Sequence, residues 1–86
     1  MKVEKKTWPE LFRDVYDGKK KFDLRLADFE IKQDDILVLR EWDPSIKEYT
    51  GREIEKTVTY VLKTKDWDFQ SEEDIKKYGN QIIQFE

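Results

Sequence analysis

The hydrophobic period of the chain switches at Gly18. Before it, in "TWPELFRDVYDG", apolar side chains fall at Trp8, Leu11, Phe12, Val15 and Tyr16, the i, i+3, i+4, i+7, i+8 stripe of a helix with one buried face. Thr7 and Glu10 have the spacing of a capping box, and Pro9 sits in the first turn, where its missing N–H costs little. Gly18 can adopt the left-handed conformation that ends a helix. The spacing predicts a helix over residues 8–17. After Gly18 the period is two: in "KFDLR", Phe22 and Leu24 alternate with Lys21, Asp23 and Arg25. A strand over 21–25 is therefore expected to bury the apolar pair and to present the charged three on its opposite face.

The rest of the chain continues in strands. "DILVLREWD" reads as a strand over 35–43, apolar enough in its first half to be covered on both faces. "PSIKEYTG" is a turn region, and "REIEKTVTYVL" begins a strand over 52–63 rich in β-branched residues. "KTKDWDFQ" reads as a loop and "SEEDIKKYG" as a short helix with Ser71 as N-cap and Gly79 as terminator, and 81–86 closes the sequence as a strand. The expected fold is a single α+β domain over residues 1–86. Its small, mostly antiparallel sheet is expected to curl into a β-barrel to remove its edges, flanked by one longer and one short helix. The expected core is Trp8, Leu11, Phe12, Val15, Phe22, Leu24, Ile36, Val38, Val58, Tyr60 and Leu62.

Composition narrows the chemistry. With no cysteine and no histidine among 86 residues, thiol chemistry, disulfides, imidazole catalysis and the usual structural zinc sites are excluded. Charged residues reach 43%, but aromatics reach 14% and recur at regular spacing, which favours a packed domain over disorder. Residues 1–26 carry eight basic and five acidic side chains and residues 27–86 nine and fifteen, so only a local cationic patch is available to an anionic partner. No apolar run approaches the roughly 20 residues that span a bilayer, and the N-terminal residues lack the apolar core of a secretory signal. The expectation is a cytoplasmic protein with no membrane contact. No cofactor or metal is assigned, because the acids Asp66, Asp68, Glu72, Glu73 and Asp74 have no spacing like that of a calcium loop.

"KTWPELF", "DGKKKFDLR", "DDILVLREWDP" and "EYTGREIEKTVTYVL" resemble consecutive blocks of the ASCH group of the PUA-like superfamily, within it a small family of uncharacterised proteins of bacteria and their phages. The resemblance runs from about Lys6 to Leu62. It implies a PUA-like barrel with a cleft beside the Gly-Lys-Lys strand for RNA or a nucleotide-like ligand. Gly18, Lys19, Lys20 and Arg25 match the cleft motif, and Tyr49, Thr50, Gly51 and Arg52 match the turn that follows. Lys21 stands where the family has Thr, Asp23 where it has Glu, and Phe29 where a basic residue is usual. Some ASCH proteins resemble acetylated-cytidine amidohydrolases with a Lys and a Thr on this strand. Here Asp23 falls at the Thr position and supplies no hydroxyl.

The candidate ligand-binding residues are therefore Lys20, Lys21, Asp23, Arg25, Trp42 and Arg52, with Asp23 placed to neutralise part of the charge of Arg25. Trp42 and Trp67 are candidate stacking platforms for bases. The reading is an RNA- or nucleotide-binding module that uses the cleft between the first helix and the Gly-Lys-Lys strand. The alternatives are an acidic protein-interaction domain, such as a phage product that binds a host protein, and, behind it, a small amidohydrolase.

Overall fold

The computed structural model describes residues 1–64 and 79–86. Strand β1 spans Lys2–Thr7, helix α1 Pro9–Tyr16, β2 Phe22–Leu26, β3 Ile36–Asp43, β4 Glu48–Lys63 and β5 Asn80–Phe85. Together the strands form one sheet in the order β1-β3-β4-β5-β2, in which β1 runs parallel to β3 and every other pairing is antiparallel. The two ends of this order, β1 and β2, do not pair. The sheet is open, which corrects the expected barrel, and its one described helix is only eight residues long, which corrects the expected longer flanking helix. Closure would need backbone pairing of β1 with β2. A side-chain bond spans the gap instead, from Arg25 Nη2 to Thr7 Oγ1 at 3.0 Å. The expected short helix falls, up to residue 78, outside the described residues.

Strand β1 was hidden in the sequence because "KVEKKT" has a single aliphatic residue, Val3. Its alternation is nevertheless regular: Val3, Lys5 and Thr7 face inward and Lys2, Glu4 and Lys6 outward, against the apolar run of β3. Helix α1 starts one residue later than the capping box suggested. Trp8 is its N-cap, with the carbonyl accepting from the Phe12 N–H at 2.9 Å, and the hydroxyl of Thr7 serves Arg25 instead. At the other end Gly18, with φ +80°, donates to the Val15 carbonyl, and the Lys19 and Lys20 N–H groups both donate to Asp14 O at 3.0 Å. Two turns of helix bury only one row, Phe12 and Val15. Trp8 and Leu11, expected in the core, stay exposed on its flanks, as does Tyr16 at the end of the stripe.

The core consists of Phe12, Val15, Ile31, Leu37, Leu39, Val58, Ile83 and Phe85, with Val3, Phe29, Ile54 and Val61 packed against it. Val38 is buried outside this cluster, while Ile36 and Leu62 are half-buried. Strand β2 is inverted relative to expectation: Asp23 is 3% exposed, whereas Phe22, Leu24 and Leu26 are 48%, 57% and 46% exposed. Pairing with β5 sets this phase, since Asp23 lies opposite Ile83 and Arg25 opposite Gln81, both fully buried. Tyr60 of β4, also expected in the core, is exposed as well.

Candidate functional site

Along the open seam between β1 and β2, Glu4, Lys5, Lys6, Arg25, Arg40 and Tyr49 line a groove of about 420 Å³. Four of these six side chains are cationic, in a chain whose formal net charge is −3. Each cation is held in place. Arg25 Nε donates to Asp23 Oδ2 at 2.6 Å while Nη2 reaches Thr7, so its guanidinium plane is fixed from two sides. The Asp23 carboxylate tolerates burial because of this bond. Arg40 lies over the Tyr49 ring at 4.0 Å, and its guanidinium stands 3.7 Å from both Glu4 and Glu53. Lys5 Nζ sits 3.7 Å from the centre of the Phe29 ring and Lys6 Nζ 4.5 Å from that of Trp42.

Next to Thr7 in the β1–β3 register is Glu41, at a bulge in β3 and almost fully buried. Arg52 grips it with two parallel bonds, Nε to Oε1 and Nη2 to Oε2, each 2.9 Å, and the Thr50 hydroxyl donates to Oε1 at 2.6 Å. The Arg52 bonds, foremost, hold the Glu41 carboxyl below its ordinary pKa against the opposing effect of burial, and Glu41 in turn raises that of Arg52. The Arg52 guanidinium also lies 5.2 Å from the Phe12 ring centre and 5.5 Å from that of Tyr16. This cluster ties the β3–β4 hairpin to α1. Its charges are mutually satisfied, so its evident work is structural.

Of the sequence-derived candidates, Arg25 lines the seam groove and Asp23 lies beneath it as its partner. Trp42 is half-buried with Lys6 across its ring, and Arg52 is engaged by Glu41. Lys20 places its ammonium 5.3 Å from the Phe22 ring, while Lys21 lines another groove, of about 620 Å³, with Phe22, Ile82 and Gln84. The fold thus gathers Arg25 with Lys5, Lys6, Arg40 and Tyr49, none of which sequence reasoning selected. A signal was present in "KVEKKT": once read as a strand, it sends Lys5 and Lys6 to opposite sides of one edge. Trp67 and the acids at 66–74 lie outside the described residues. No helix among the described residues is long and apolar enough to cross a membrane.

A small open sheet with a cationic edge groove is the class of architecture these residues define. Residues 3–75 match the family described as a domain of unknown function, DUF3850, and the chain belongs to that family. It is also similar to an uncharacterised 12.9 kDa protein of the GpA 3′ region of Escherichia phage P2, with 34% identity over 64 residues. That match covers 74% of this chain and 57% of the phage protein, so the chain spans less than two thirds of that relative's length.

Proposed function

We propose that the chain is a small RNA- or nucleotide-binding module whose ligand lies in the seam groove between β1 and β2. The observation that carries this reading is that Lys5, Lys6, Arg25 and Arg40 line one groove at the open edge of an acidic protein, with Glu4 the one acid among them. An anion is the ligand class that such a groove attracts, and Arg25, whose plane is fixed by bonds from Nε and Nη2, has Nη1 left to donate to a phosphate oxygen. Because the molecule as a whole is acidic, long-range steering is weak and phosphate contacts are few. Affinity for short single-stranded RNA is expected at about micromolar, with a log–log salt slope of about −1 to −3. The test titrates such RNA into wild type, Lys6→Ala and Lys20→Ala at two salt concentrations. Weaker binding by Lys6→Ala than by wild type is expected, and equal binding by all three, or none by wild type at low salt, would sink the proposal.

A second reading, a protein-interaction domain, is favoured by the outer face of β2, β5 and β4, where Phe22, Leu24, Leu26 and Tyr60 are exposed together. Leu24→Ser separates the two: it leaves RNA titration unchanged if the seam groove is the functional site. Amidohydrolase activity on acetylated nucleosides is not expected, because the carboxylate of Asp23 is committed to Arg25 and its position offers no hydroxyl.

A further inference from the structure

Resting on the seam groove as the binding site, we infer that it grips the phosphate chain of its ligand and does not read bases. The ligand class is then a linear polyphosphate or a nucleic-acid backbone of any sequence. Nonspecific readers of single strands combine a cationic track with open aromatic faces on which bases stack. The one ring that lines this groove, Tyr49, and the two rings against which its lysines lie carry these cations. Tyr49 carries Arg40 at 4.0 Å, Trp42 carries Lys6 at 4.5 Å and Phe29 carries Lys5 at 3.7 Å. A base could stack on such a face only by displacing the cation from it. Arg40 resists this most, since Glu4 and Glu53 flank its guanidinium at 3.7 Å. The stacked arrangement also explains how four like charges are kept together: each rests on a ring or a carboxylate, so the outward N–H groups stay free for phosphate oxygens. What the groove offers a ligand is four cations with the carboxylate of Glu4 among them, and a single ring, Tyr49, that already carries Arg40.

The experiment compares three probes on the full chain at one low salt concentration: a short oligouridylate, an abasic ribose-phosphate strand of the same length, and inorganic tripolyphosphate as competitor. The inference expects the abasic strand to bind within about threefold of the oligouridylate, whereas loss of even one stacked base would weaken it roughly fivefold to a hundredfold. Tripolyphosphate is expected to displace both strands, and Lys6→Gln to weaken both by the same factor. Oligouridylate binding that the abasic strand lacks, or that tripolyphosphate cannot displace, overturns the inference and leaves the proposed function standing. Absence of binding by either strand overturns both.

Discussion

Two carboxylates that look alike in the sequence have different standing in the fold. Glu41 and Glu53 both lie in strands beside arginines, but Glu41 is buried and held by two Arg52 bonds and a Thr50 hydroxyl, whereas Glu53 is exposed at 3.7 Å from Arg40. Glu41 carries a pH-dependent share of stability that can be read from its environment. Its folded pKa is lowered, so the stabilisation is complete above the ordinary glutamate value of 4.5 and is lost as the pH falls through the depressed value. The expected outcome is that Arg52→Gln unfolds at lower urea than wild type at pH 7, and that the two midpoints converge as the buffer is taken well below pH 4.5. A gap that persists undiminished into acid would show that Arg52 stabilises through its contact with Phe12 and Tyr16 and not through Glu41. Asp35 and Asp43 are lowered for related reasons, first by the Lys32 N–H and first by the Ser45 hydroxyl respectively, and lose their contributions in the same acid direction.

At the level of elements, α1 was legible because its start, stripe and stop agree within a dozen residues, and its buried row, Phe12 and Val15, lies in the expected stripe. Strand β2 shows why a period alone is insufficient. Alternation establishes that Phe22 and Leu24 share a face, but not which face meets the core; that depends on register with β5, more than fifty residues away. The ion pair of Asp23 with Arg25 makes the inverted phase tolerable, and no local pattern announces it. The same lack of local signal concealed β1, whose inward residues include a lysine, and with it most of the seam groove. Paired truncations test the phase of β2. Phe12→Ala, at a fully buried ring, is expected to cost about 3–5 kcal/mol. Leu24→Ala, at a side chain 57% exposed, is expected to stay within about 0.5 kcal/mol, both read by urea denaturation. Equal losses would restore Leu24 to the core.

For the whole molecule, the strand order has a meaning in time. Strand β2 leaves the first helix early in the chain, yet its sole strand partner among the described residues is β5, at residues 80–85. Each such pairing closes a long loop before any contact rewards it, so folding is expected on the millisecond-to-second scale typical of non-local sheets, as stopped-flow refolding would measure. During synthesis the consequence is sharper. Until β5 emerges from the ribosome, Phe22, Leu24 and Leu26 sit on a strand without its partner among the described residues, and Asp23 and Arg25 have no buried face to occupy. A chain stopped at residue 79 is therefore expected to keep α1 and the β1–β3–β4 pairing signals but to expose β2 to proteases, with cleavage between Lys19 and Arg25 that the full chain resists. An arrest peptide placed at successive distances past residue 86 would register a further step in the pulling force of folding once β5 has cleared the tunnel, making β5 the switch that commits β2 to the sheet.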